Sequence, residues 1–183
     1  MPHPPGQRNP AGTNETMYDV IKSLYDYNSW AMTKLFNALE TAPDRAYEAL
    51  GCSGHGSIRD TLAHMLQTQL GWFSWFDGSL PPEQAYAVKL TDKDIPTIQK
   101  AKARWEKIDK QTHDLIDRLN EEKLAEEWSW KAPNDTMVKQ PLGQLLLHVV
   151  NHSIHTRAQI VSAIRRCGHA PGIYDYLWFI MGR

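Results

Sequence analysis

Cysteine is scarce in this sequence, and it never occurs in a paired spacing. The chain has 183 residues and two cysteines, Cys52 and Cys167. The C-x-x-C spacing that is typical of zinc ribbons and thiol redox motifs is missing. The sequence therefore excludes a disulfide framework, and we expect a protein of a reducing compartment, the cytoplasm.

Clusters of basic residues and long apolar runs are also missing. Lysine and arginine number 20 against 21 aspartates and glutamates, which gives a formal net charge of −1. Because nucleic-acid-binding proteins carry a basic patch, we expect no nucleic acid partner. No segment approaches the run of about 18 apolar residues that a membrane span requires, so we expect no membrane association.

The first 16 residues contain proline and small polar residues but no apolar segment, so we interpret residues 1–16 as a flexible N-terminal tail and not as a signal peptide. The remainder, residues 17–183, is rich in hydrophobic residues, and its length suits a single domain.

Apolar residues recur at steps of three and four along most of this domain, which predicts α-helices. Gly168 is expected to follow the end of the fourth long helix as a C′ residue. The predicted helices run from Met17 to about Glu40 after an N-cap at Thr16, from the N-cap Ser57 to Asp77–Gly78, from Thr91 or Asp92 to about Asn120, from near Pro141 to about Cys167, and, as a short aromatic helix, from Tyr174 to Met181.

Between Glu126 and Lys139 the pattern changes to alternation around Trp128 and Trp130, which favours a small hairpin or an extended loop. The four long helices predict an all-α fold. We expect an antiparallel four-helix bundle, or a close variant, with a short additional C-terminal helix.

Histidine is distributed unevenly, and three of the eight histidines crowd the fourth long helix. At 100° per residue and with His148 at zero, His152 lies at about 40° and His155 at about 340°. The apolar stripe of the same helix is centred at about 160°, so the histidines border the core. His64 has the same relation to the stripe of the second helix, and the two helices are expected to share a histidine-lined groove.

Two interpretations of this groove stay open. Imidazoles at positions i and i+4 bind one metal ion when a neighbouring helix adds a third ligand, which leaves a position open for water. Alternatively, histidines at the margin of a bundle are hydrogen-bonded packing residues. Arg157 lies at about 180° on the same wheel, inside the apolar stripe. A buried arginine needs a partner, so we expect an ion pair or a carbonyl contact with another helix, or, less favoured, an anion-binding role in the cleft.

Three segments of the chain resemble the DinB/YfiT-like family of bacterial helical-bundle proteins. They are Tyr27-Asn28-Ser29-Trp30-Ala31, Ser57-Ile58-Arg59-Asp60-Thr61-Leu62-Ala63-His64, and Leu147-His148-Val149-Val150-Asn151-His152 followed by Arg157-Ala158-Gln159-Ile160. The resemblance implies a four-helix bundle, a homodimer and a three-histidine site for a divalent metal such as nickel or zinc.

By this resemblance, His64 and His152 match two of the metal ligands. The third ligand of the family directly precedes the arginine, and here that residue is Thr156, whose hydroxyl is a poor ligand for these ions. His148 and His155 are the two candidates to replace it. A further alternative is that the cleft has lost metal binding.

The resemblance also implies a function, in two versions. The first is a metal-dependent thiol S-transferase or hydrolase acting on a small-molecule substrate or thiol. The second is a metal-free protein that binds a small ligand or serves in a stress response. Four tryptophans are candidates for the walls of its cleft, although we expect them to serve mainly in packing: Trp72, Trp75, Trp128 and Trp130.

Overall fold

The structure, a computed structural model, describes residues 15–51, 54–132 and 135–182. The predicted all-α bundle is confirmed. Residues 1–14 of the predicted tail lie outside the described ranges. Within those ranges, none of the helices combines the length and the hydropathy of a transmembrane span. The elements are α1 Met17–Thr41, α2 Ile58–Phe76, α3 Pro82–Tyr86, α4 Ile98–Ile116, α5 Glu121–Ala125, β1 Glu127–Lys131, β2 Met137–Pro141, α6 Leu142–Arg166 and α7 Tyr176–Ile180, with a 3-10 turn at Asp44–Ala46.

Three predicted helix ends are fixed by capping interactions. Thr16 and Ser57 each accept a hydrogen bond from the backbone N–H of the third helical residue in a capping box, at the start of α1 and α2. After α6, Gly168 has a φ of +80° and donates its N–H to the Arg165 carbonyl, and the His169 N–H bonds to the Ile164 carbonyl. These two bonds form a Schellman motif, which is how a glycine at C′ ends a helix.

The start of α4 differs from the prediction of Thr91 or Asp92, since the helix begins at Ile98 after the N-cap Thr97. The Thr91 N–H and hydroxyl both bond to the Asp94 carboxylate and close a separate turn. Pro96 then lacks an N–H and disfavours helical geometry at the residue before it. These local interactions outweigh the apolar spacing.

Further elements also differ from the sequence prediction. Helix α4 ends at Ile116 instead of near Asn120, and the unpredicted short helix α5 follows it. The C-terminal helix is shorter than predicted and covers Tyr176–Ile180. The connection after α2 contains the short helix α3, for which Pro82 supplies a favourable first residue.

The segment with alternating tryptophans is a hairpin, the first of the two predicted alternatives. Strands β1 and β2 pair antiparallel, with Trp128 opposite Gln140 and Trp130 opposite Val138. Residues two apart share one face of a strand, so both indoles point the same way. Both pack against Trp75. The ring centroid of Trp75 lies 5.2 Å from that of Trp128 and 5.4 Å from that of Trp130. The hairpin is thereby held against α2, while Pro133 and Asn134 lie outside the described residues.

The core comprises two apolar clusters, one at each end of the bundle. One cluster contains the C-terminal half of α1, the N-terminal half of α2 and the last turns of α6. The other contains the start of α1, the end of α2, the end of α4 and the first half of α6. Helices α1 and α6 therefore run in one direction and α2 and α4 in the other, with residues 77–97 returning the chain between α2 and α4.

A chain of buried polar side chains crosses the bundle between these clusters. Arg157 on α6 donates through Nη1 to Asn28 Oδ1 on α1 at 2.6 Å. The Asn28 amide donates to Gln69 Oε1 on α2 at 3.4 Å, and Gln69 donates to Thr112 Oγ1 on α4 at 2.9 Å. All four residues are at most 2% exposed. We call this set, Arg157, Asn28, Gln69 and Thr112, the polar layer; it connects all four long helices.

Asn28→Ala tests the polar layer. The substitution removes the acceptor for Arg157 Nη1, while Nη2 is already buried and has no hydrogen-bond partner among the described residues. Because an unpaired buried charge is costly, we expect the free energy of unfolding to fall by about 3 kcal/mol. Urea denaturation at pH 7 measures the change. Asn37→Ala, at an exposed position of the same helix, is the matched control and should change it by less than about 0.5 kcal/mol. Equal losses for the two variants would contradict a structural role for the layer.

Candidate functional site

The structure brings His64 of α2 and His152 of α6 together, as the groove interpretation expects. Their Nε2 atoms are 3.1 Å apart, and their ring centroids are 5.0 Å apart. Both side chains are half-buried at the edge of the core. At 3.1 Å one ring donates an N–H to the other, or both present lone pairs to a third atom between them.

Burial keeps both imidazoles in the neutral form. Desolvation, followed by the effect of the neighbouring histidines with His64 first, lowers the pKa of His152 from 6.5 to about 4. Desolvation also lowers the pKa of His64, followed by the effect of His55. A neutral imidazole retains the nitrogen lone pair that a metal ion requires.

The other candidates on α6 lie in three different environments. His148 is exposed and lines a cleft, with its ring 5.6 Å from the ring of Trp72. His155 is exposed, and the Gln159 amide donates to its Nε2 at 2.9 Å. Thr156 is 1% exposed and donates its hydroxyl to the His152 carbonyl at 2.9 Å. The hydroxyl of Thr156 is therefore used within its own helix.

His55 is a further member of this site that the sequence analysis missed. Its ring stacks on that of His64 with centroids 4.0 Å apart and planes inclined by 24°. It belongs to the turn before α2, so helical periodicity gave no signal for it. One signal could have located it. His55 lies two residues before the N-cap Ser57, so it is close to the N-terminal half of α2, which carries His64.

A cleft of about 410 Å³ opens beside the histidine pair. Its walls come from α2, from the segment that contains α3, from β1 and from α6. Gly71 lets α3 approach, because a Cβ at this position would collide with the Ala85 carbonyl. Three of the four tryptophans proposed as wall residues line this cleft, Trp72, Trp75 and Trp130, whereas Trp128 packs on Phe76 beside a second cavity.

Arg157 does not line the cleft. Its guanidinium lies in the core, 2% exposed, with Cζ 5.2 Å from the Tyr27 ring centroid. It donates to the side-chain carbonyl oxygen of Asn28, so of the two expected contacts between helices it makes the carbonyl contact and not an ion pair.

The spacing of the two Nε2 atoms is the one that two ligands of the expected metal site would need. Two nitrogen ligands of a tetrahedral zinc ion lie about 3.3 Å apart, and the two Nε2 atoms are 3.1 Å apart. Within the part of the chain that the structure describes, no group of three or more histidine, cysteine or acidic side chains is arranged to hold a metal ion. A third donor has to move into place or come from elsewhere.

The low pKa of His152 predicts a loss of stability in acid. Between pH 6.5 and about 4 the unfolded chain binds a proton at this residue and the folded chain does not. The free energy of unfolding therefore falls as the pH decreases through this range. Because the ring is half-exposed, we expect screening to reduce the contribution to about 1 kcal/mol.

Urea denaturation at pH 7 and pH 5, with a chelator present, compares the wild type with His152→Gln. The variant should lose about 1 kcal/mol less between the two pH values. His169→Gln, a partly exposed histidine bonded to Thr41, serves as the control. Identical pH dependence in the wild type and His152→Gln would contradict the burial argument.

Comparison with known proteins identifies the family. The chain is 29% identical over 177 residues to Protein DinB of Bacillus subtilis (strain 168), and the alignment covers 87% of this chain and 93% of that protein. A sequence model of the DinB family matches residues 17–183, which is nearly the whole chain. The helical bundle agrees with this match, and the chain belongs to the DinB family.

Proposed function

We propose that the protein binds a divalent transition-metal ion, nickel or zinc, through His64 and His152 and acts on a small molecule in the adjoining cleft as a thiol S-transferase or a hydrolase. The observation that carries this proposal is the convergence of the two Nε2 atoms at 3.1 Å beside a cleft of about 410 Å³. Cavities of this size are typical of small-molecule sites.

Of the two α6 histidines that are candidates to replace the third ligand, His148 is placed better than His155. His148 lines the same cleft as His64 and His152. His155 is turned toward Gln159, which occupies its Nε2. His148 also lies one helical turn before His152, on the same side of α6.

The chain's own residues would bind and orient the substrate. Trp72, Trp75 and Trp130 offer aromatic surfaces to an apolar group, and the exposed Lys89 at the rim attracts a negative charge. A bound divalent ion lowers the pKa of a thiol or a water molecule, which gives an anionic nucleophile near neutral pH. The three tryptophans would limit the access of bulk water to the apolar side of the cleft. The homodimer stays a prediction.

Calorimetric titration of the tag-free protein with Ni²⁺ and Zn²⁺ tests the metal site. We expect one ion per chain in the wild type. His64→Ala and His152→Ala should each weaken binding by at least about 100-fold, because loss of a direct ligand exceeds the 10- to 100-fold cost of an outer-shell change. His169→Ala is the matched control and should bind as the wild type does. A wild type without stoichiometric binding contradicts the proposal.

A second candidate, a metal-free small-ligand-binding protein, has a specific observation in its favour. His64 and His152 satisfy one another by an N–H···N hydrogen bond, and the Thr156 hydroxyl is occupied by the His152 carbonyl. In this version the pair packs the wall of the cleft, and the tryptophans bind the ligand.

Thr156→His separates the two candidates. If the protein is metal-free, the variant binds Ni²⁺ at least about tenfold more tightly than any residual binding by the wild type, because a third imidazole supplies the ligand that threonine does not. Thr156→Val is the control for the lost hydroxyl, and a thermal melt checks that each variant folds. Wild-type affinity equal to that of Thr156→His removes the basis of the metal-free version.

A further inference from the structure

We propose that His55, in the turn before α2, is the third imidazole ligand of the metal site that His64 and His152 begin. This inference rests on the proposed function and adds a residue that neither helical spacing nor the family pattern indicates. It is motivated by the stacking of His55 on His64, with ring centroids 4.0 Å apart. Of the histidines considered as a third ligand, His55 is the one whose ring contacts a member of the pair.

The backbone on both sides of His55 runs close to the helices of the pair. Gly54 lies against the end of the Gln159 side chain of α6. Gly56 has a φ of +107°, which favours glycine, and leads directly into the buried N-cap Ser57. The turn therefore passes close to α6 on one side and enters the capping box of α2 on the other. This path places His55 beside His64.

The His55 side chain, in contrast, is able to turn. It is exposed, and among the described residues no hydrogen bond holds its ring nitrogens. Stacking aligns its plane with that of His64, so coordination requires rotation about the side-chain torsions. Exposed side chains change rotamer on the picosecond to nanosecond timescale. The rotation replaces the stacking contact with a metal–nitrogen bond and leaves the backbone unchanged.

The competing donors are occupied or directed elsewhere. Thr156 donates its hydroxyl to the His152 carbonyl, and the His155 nitrogen accepts from Gln159. His148 packs against Trp72 with ring centroids 5.6 Å apart. His55 is not part of the cleft wall, whereas His148 is. With His55 as the ligand, His148 keeps its place in the wall and faces the substrate.

Titration of the tag-free full-length chain with Co²⁺ and Zn²⁺ tests this assignment. We expect His55→Ala and His55→Gln each to weaken binding by at least about 100-fold, as for the other direct ligands, because the cost exceeds that of an outer-shell change. His155→Ala, also an exposed histidine near the pair, is the matched control and should stay within about twofold of the wild type. His55 is exposed, so thermal melts of its variants should coincide with that of the wild type.

Proton NMR of the Co²⁺ complex gives a readout that is independent of affinity. Each coordinated imidazole contributes one shifted, exchangeable ring N–H signal, so we expect three in the wild type and two in His55→Gln. If the wild type binds and both His55 variants retain full affinity and all signals, while His148→Ala loses one, His148 is the third ligand and our assignment is wrong. A wild type that binds neither ion overturns the proposed function together with this assignment.

Discussion

The hydrogen bond between Arg157 and Asn28 is the interaction on which the register of this bundle depends. Apolar stripes on neighbouring helices tolerate a shift by one turn, because one aliphatic side chain packs much like another. A buried guanidinium does not tolerate such a shift, since it needs an acceptor at one particular height. Asn28 supplies that acceptor at 2.6 Å, and its amide extends the contact to Gln69. The polar layer therefore selects one alignment of the four helices.

This alignment also places the histidine pair. Gln69 lies on the same helix as His64, and Ser153 directly follows His152 on α6. Ser153 donates to Gln69 Oε1 at 3.4 Å, so the heights of α2 and α6 are tied within about one turn of the pair. A slip of one turn along the helix axis is 5.4 Å in an α-helix, which would separate two nitrogen atoms now 3.1 Å apart. The chemistry of the cleft edge and the stability of the core thus share one constraint.

The sequence was sufficient for features that depend on local spacing. The caps at Thr16 and Ser57, the glycine after α6 and the histidine face of α6 follow from residue types at fixed offsets, and all of these appear in the structure. The start of α4 was missed because an Asp94-closed turn competes with the apolar pattern. Helix spacing also carries no information about a residue in a turn. The contact of His55 with His64 depends on the path of the turn that precedes α2.

The pairing of His64 with His152 has opposite consequences for the two candidate functions. A hydrogen bond between two neutral rings requires one of the facing nitrogens to carry the proton, whereas metal binding requires both facing nitrogens to be free of it. Each ring then places its remaining proton on Nδ1, and the Nδ1 of His152 is buried with no hydrogen-bond partner in the part of the chain that the structure describes. Metal ligands usually donate that proton to an outer acceptor, which fixes the ring. With none present for His152, ring orientation depends on packing and on the rings around it.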